Sequence, residues 1–324
     1  MFPGFSAYIN TNDKKQSYLQ SYLFGEIPVQ TNVQFPPSQP VVAANPLSMF
    51  MRQPKIYIRL PSKGEFWPAG SLALPENQQL AVYSMTAKDE LTINIPDALM
   101  NGQAIVDVIQ NCVPAIKNAW AIPTMDLDAI LIAIRIATYG EMMKTPVTFK
   151  NDVEMDYQID LRTVLDSIMN NAVWEPTISI SPEMTVFVRP LTYKQATSAS
   201  LQSFETQKII QLTNNDQLTE EEKIRLFKES FKKLSESTVG TVISSIFRID
   251  TSNGSTDNPQ HIKDFIENTD KDTFNKIEAH LDYLKDRNSI KPMIIQVSDE
   301  MKELGITGDT VEIPLVFDAS TFFV

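Results

Sequence analysis

Side chains able to do covalent or metal chemistry are scarce in these 324 residues. There is one cysteine, Cys112, and there are two histidines, His261 and His280. A serine or cysteine nucleophile needs a histidine base beside it. Both histidines lie among charged residues in segments that read as solvated surface. A single cysteine excludes an internal disulfide framework and a four-cysteine zinc site. At the end of an apolar stretch, Cys112 reads as a small buried thiol. The ten glycines form no G-x-G-x-x-G and no G-x-x-x-x-G-K, and Gly64 and Gly70 are wrongly spaced for a phosphate loop. No G-x-S-x-G elbow occurs either. Catalytic, cofactor-binding and metal-ligating residues are therefore all expected to be none.

Carboxylates are plentiful and need a closer look. A glycoside hydrolase sets two of them about 5 to 9.5 Å apart across a sugar. The candidate pairs are Asp89 with Glu90, and Asp126 with Asp128. Each has an adequate structural reading. Asp89-Glu90 falls in a turn between two predicted strands, and Asp126 is a good helix N-cap. Trp67, Trp120 and Trp174 are too scattered to form a sugar-stacking ladder. Glu220-Glu-Glu222 reads as a solvated helix start.

The bulk balance points the same way. Forty acidic residues against 28 basic ones leave a net charge of −12. That argues against nucleic acid, where phosphate contacts need clustered Lys and Arg. With 43% hydrophobic and 21% charged residues the chain has the composition of a soluble globular protein. The most apolar run, residues 129–137, is about half a membrane span and Arg135 interrupts it. It reads as a buried helix, so no membrane insertion is expected. Residues 1–20 lack a secretory pattern, which predicts synthesis and residence in the cytosol.

The elements that hold these residues follow from spacing. Residues 1–54 are polar and punctuated by prolines, which exclude a long helix or a central strand. Tyr8, Tyr18, Tyr22, Phe24, Phe35 and Phe50 recur through them as candidate partner contacts, so this segment reads as an extended arm that orders on a partner. Strands are predicted at 56–60, 81–85 and 91–95. A helix is predicted from Pro96-Asp97 through about Ile109, stopped by Pro114, and a second from Leu127 to Tyr139, stopped by Gly140. Arg135 within the second needs a partner, for which Asp126, Asp128 and Glu141 are placed. A hairpin over 147–161 turns at Asn151-Asp152, and a short helix covers 161–169. Strands at 178–180 and 186–188 pair across Ser181-Pro-Glu183. A helix spans 193–212. Another starts at Thr219, whose partner Glu222 makes a capping box, and carries Ile224, Phe227, Phe231 and Leu234 at helical spacing. Residues 239–249 fit a helix or a strand, and Ser252-Asn-Gly254 marks a loop. A helix over 272–287 buries Phe274, Ile277, Leu281 and Leu284, and strands return at 292–298 and 311–316. The class is α+β: mixed small antiparallel sheets and hairpins with a helical core and an extended proline-punctuated arm. The divisions are 1–54, a core domain at 55–190, and 191–324, a helical segment closing on a C-terminal hairpin.

Residues 83–140 also carry a resemblance. The segments are Tyr83-Ser-Met-Thr-Ala-Lys-Asp89-Glu90-Leu91, Ile95-Pro96-Asp97-Ala-Leu-Met-Asn101-Gly102, Asn111-Cys-Val-Pro114-Ala-Ile-Lys117, Met125-Asp126-Leu-Asp128 and Ala133-Ile-Arg135-Ile-Ala-Thr-Tyr-Gly140. Together they resemble the T-even-type baseplate hub family of contractile-tailed bacteriophages, and the ending Ser320-Thr-Phe-Phe-Val324 is similar to that family's C-terminus. Members often carry Cys-x-x-Cys-type pairs after the helix that ends at Gly140 and again in the C-terminal hairpin. This chain has none in either place, so the resemblance implies no zinc here, and packing would have to replace any metal. It implies a non-enzymatic structural or assembly component of the baseplate hub. The partners would be other hub and tail proteins, with copies of this chain arranged as a homo-oligomer around the tail axis. It would occupy the host cytoplasm during assembly and then the virion tail. The alternatives are a tail-associated peptidoglycan hydrolase and an assembly chaperone absent from the mature virion.

Overall fold

The computed structural model describes residue 47, residues 51–95, 101–148, 154–212, 219–303, 305, 308–313 and residue 315. The arm's candidate contacts Tyr8, Tyr18, Tyr22, Phe24, Phe35 and Phe50 lie outside the described residues. So do Pro96, Asp97, the Asn151-Asp152 turn and the last five residues. Residues 52–324 form one compact unit. Within its described part the architecture is α+β, with helices gathered among small antiparallel sheets.

The first core is built around one apolar helix. Strands β1 (Ile56–Ile58) and β2 (Leu80–Val82) pair antiparallel, with Tyr57 opposite Ala81. Then comes α1 (Ala87–Ile93), where a strand is predicted at 91–95. The alternation Leu91-Thr-Ile-Asn-Ile95 fits a strand, but a local signal outweighs it. The Thr86 hydroxyl accepts from the Asp89 N–H, and the Asp89 carboxylate accepts from the Thr86 N–H at 2.7 Å. This capping box satisfies two donors at the helix start, so Asp89-Glu90 opens a helix and is not a turn between strands. Helix α2 (Gln103–Cys112) begins at Gly102, in the left-handed region at φ +80°, six residues later than the Pro96-Asp97 start predicts. It buries Ile105, Val106, Val108, Ile109 and Cys112, and Pro114 follows its end.

Helix α3 (Thr124–Tyr139) is the centre of this core. It starts before the predicted N-cap: Pro123 caps it, and Asp126 sits in its first turn. Ile130, Ile132, Ala133 and Ile134 are fully buried, as the nearly all-round apolar pattern predicts. Gly140 closes it at φ +94°. Strands β3 (Met142–Thr148) and β4 (Glu154–Asp160) form a hairpin longer than the predicted 147–161: its first strand begins five residues earlier, with Met142 opposite Asp160. Asp160 caps α4 (Leu161–Asn171) by accepting from the Arg162 N–H at 2.9 Å.

The second core lies on a four-stranded antiparallel sheet in the order β5 (Thr177–Ser181), β6 (Met184–Val188), β7 (Ile246–Thr251), β8 (Gly254–Thr256). Between β6 and β7 the chain makes two long helices, α5 (Tyr193–Leu212) and α6 (Glu220–Ser245). The Thr219–Glu222 capping box is present. The ambiguous stretch 239–249 does both things: α6 runs to Ser245 and β7 begins at Ile246. Two more helices cover the sheet, α7 (Pro259–Asn268) and α8 (Lys271–Asn288). They contribute Ile262, Ile266, Ile277 and Leu284 to a cluster with Val186, Val188 and Ile249. Helix α7 is absent from the sequence expectation. Its signal is Asn258-Pro259, an N-cap followed by proline at the first helical position. A third, smaller cluster forms under the hairpin of β9 (Met293–Gln296) and β10 (Thr310–Ile313), with α9 (Asp299–Glu303) between them.

Candidate functional site

The residues of the 83–140 motif come together, but as internal ties. Around Arg52 the guanidinium donates to the Asn111 carbonyl at 2.6 Å and to its side-chain oxygen at 2.8 Å, and it also donates to the Ser84 carbonyl. It lies 3.8 Å from Asp89 and 5.6 Å from the centre of the Tyr83 ring. Asn111 in turn donates to both Asp89 oxygens at 2.6 and 2.8 Å. One buried carboxylate thus joins the cap of α1, the end of α2 and the chain entering β1. Beside it Cys112 is fully buried, and burial pushes its thiol up to about 11. A thiol held protonated is a poor nucleophile.

A second tie holds the loop between β1 and β2 to α3. Asp126 accepts from the backbone N–H of Ser62 at 2.7 Å, from the Ser62 hydroxyl, and from the Trp67 indole N–H at 2.7 Å. Burial still outweighs these three donors and raises its pKa. Asp128 is half-buried, its carboxylate has no hydrogen-bond partner among the described residues, and burial pushes its pKa up to about 6. The two acids therefore have different surroundings, and Asp126 already has both oxygens engaged.

Arg135 corrects an expectation. It is only 8% exposed, yet none of Asp126, Asp128 and Glu141 pairs with it. Glu141 binds Arg162 at 2.6 Å instead. The guanidinium lies 4.3 Å from the centre of the Tyr139 ring, one helical turn on. Its Nε and Nη1 have no hydrogen-bond partner among the described residues. Burial lowers its pKa. Tyr139 donates to Glu90 at 3.2 Å, tying the end of α3 to α1.

Gly102 is required by packing. An added Cβ would lie 3.0 Å from the Tyr193 hydroxyl and 3.2 Å from both Thr197 and Trp120. Trp120 and Tyr193 stack there at 5.4 Å, which joins the start of α2 to the start of α5. Asn101 accepts from the Gln103 N–H at 2.9 Å. His261 is exposed beside Thr256, and His280 sits 2.9 Å from the Glu175 carbonyl, far in sequence from Cys112. Among the described residues no group of three or more His, Cys, Asp or Glu is placed to hold a metal, and no helix is long and apolar enough to cross a membrane.

The surface offers more than the motif does. The α6 side chains Ile224, Phe227, Phe231 and Leu234 are 53%, 54%, 62% and 39% exposed. The sequence shows their helical spacing, but spacing alone does not say which face a neighbour covers.

A family model described as T4 bacteriophage base plate protein matches residues 68–291. That span holds residues 83–140, all of α1 to α8 and the four-stranded sheet, while Arg52, Ser62 and Trp67 lie before it. No curated protein and no solved structure matches the chain. With well over half of its length matched, the chain belongs to the T4 bacteriophage base plate protein family.

Proposed function

We propose that this protein is a non-enzymatic component of the hub of a contractile tail's baseplate, working through contacts with other hub and tail proteins. The observation that carries the reading is the family match over residues 68–291. The residue chemistry supports it. Asp89 and Asp126, the buried carboxylates of the motif, are engaged in joining α1, α2, α3 and the strand loops. The large exposed side chains of α6 suit a protein that acts by binding. Residues 1–54, with Tyr8, Tyr18, Tyr22, Phe24, Phe35 and Phe50 between prolines, add a second contact segment to this proposal.

Quantitative mass spectrometry of purified mature tails and of the remaining lysate tests it. A hub component is expected in the tails in fixed ratio to the tail proteins. Its presence in the lysate alone would overturn residence in the virion and leave a role in assembly.

A further inference from the structure

Helices α5 and α6 pack along each other and project from the second core. Val239, Val242 and Ile243 of α6 reach that core, whereas no residue of 220–238 belongs to any of the three apolar clusters. Near their base, Gln195, Ser198 and Ala199 of α5 face Ser237, Gly240 and Thr241 of α6 across a shared cleft. Further along, Thr206 and Ser230 are buried. Of the large apolar side chains of 220–238, Leu226 is half-buried, while Ile224, Phe227, Phe231 and Leu234 are exposed.

Their spacing is specific. Ile224, Phe227, Phe231 and Leu234 are separated by three, four and three residues, the repeat of a helix–helix seam. At about 100° per residue they span an arc of roughly 80° over three turns. Phe227 and Phe231 already stack, with ring centres 6.5 Å apart and planes 18° from parallel. The flank turned away from α5 is basic. It carries Arg225, Lys228 and Lys232, of which Lys232 reaches Glu236 at 3.7 Å while Arg225 and Lys228 form no ion pair among the described residues. Over residues 220–236 five basic side chains balance five acidic ones, but three of the acids, Glu220, Glu221 and Glu222, crowd the first turn, and Lys223 pairs with Glu220 at 3.2 Å, so the excess of positive charge is local to the flank at Arg225, Lys228 and Lys232.

We propose that this stripe is the docking seam for an amphipathic helix of another protein, one with apolar residues at the same three–four spacing and Asp or Glu beside them. The proposal rests on the reading of this chain as a baseplate protein that acts by contacts, and it names the class of partner. Charge complementarity selects the occupant. A second copy of α6 would set basic flank against basic flank, which is unfavourable beside a helical seam. A membrane surface suits a wider apolar face than this narrow stripe, and Glu220 and Glu221 stand at its start.

The test places the photo-crosslinking residue p-benzoylphenylalanine at position 231 of the full chain in phage-producing cells, with sequencing of the crosslinked peptides. One peptide from another chain is expected, with apolar residues at three–four spacing and acidic neighbours. The double change Lys228→Glu and Lys232→Glu should lower its yield at least tenfold without changing the melting temperature of the purified protein. The same probe at Tyr283, exposed on α8, should not capture that peptide. Crosslinks to this chain's own peptides, to lipid, to many unrelated peptides or to nothing would each overturn the proposal. Because crosslinks are read from whole cells, their failure is separable from that of the hub reading, which turns on the content of the tails.

Discussion

Helix α3 carries three ionisable residues into or beside the first core, and each meets a different fate. Asp126 is held by Ser62 and Trp67. Asp128 has no such donors, and its pKa rises to about 6. A buried acid of this kind keeps a proton that the unfolded chain, with a pKa near 3.8, has already released. Its contribution to stability is therefore greatest below about pH 4 and declines as pH rises through about 6. Asp128→Asn is expected to stabilise the fold at pH 7.5 by about 1–3 kcal/mol, read as a higher melting temperature. It should also flatten the stability profile between pH 4 and 6. An unchanged profile in a thermal-melt series would contradict the burial of this carboxyl. For Arg135 the structure changes the expected cost. Removing one member of a buried ion pair strands the other charge, but among the described residues no carboxylate pairs with Arg135 and two of its donors have no partner. Arg135→Met keeps the packing against Tyr139 and should leave stability within about 1 kcal/mol of the parent, because only a cation–π contact is lost. A loss above about 3 kcal/mol, measured by denaturant unfolding, would reveal a charged partner. From sequence, Arg135 was legible as buried and in need of compensation. The compensating group was not, because Tyr139 gives no charge signal.

Elements were legible where a periodic pattern met a cap. Helix α5 lies over the residues its spacing predicts, and α3 and α6 announce their ends through Gly140 and Thr219–Glu222. Failures came where two readings fit a short stretch. Residues 91–95 alternate like a strand, and the Thr86–Asp89 box that settles the matter lies before them. The start of α2 was misplaced because Pro96-Asp97 carries the proline and acid that favour a first turn, whereas the helix begins after Gly102. Its role depends on Trp120, Tyr193 and Thr197, which only the fold brings close. Gly102 and Gly140 both adopt positive φ, but only Gly102 is crowded. Gly140, at φ +94° and ψ 179°, lies in a region essentially confined to glycine, so Gly140→Ala should cost about 1–3 kcal/mol in backbone strain. Gly102→Ala adds crowding of the Trp120–Tyr193 stack to the about 1–2 kcal/mol of a left-handed backbone. A Gly102→Ala loss below about 2 kcal/mol in urea unfolding would show that the stack yields freely. The same limit hid the exposure of the α6 stripe: period marks a face, and only the neighbours decide whether it is covered.

At the scale of the whole molecule, the sequence carries one cysteine, two histidines and a net charge of −12. The family match over residues 68–291 places it among baseplate proteins. The polar residues of 83–140 join α1 to α2 and to α3, and α3 to the loop between β1 and β2. The central proposal is the place of this chain in the hub. The most direct measurement is the amount of this chain in hubs separated from the outer sectors of baseplates, taken from purified tails. The account predicts a constant whole-number ratio to the other hub proteins and depletion from the outer sectors. Recovery mainly in the outer sectors, or absence from both fractions, would contradict it.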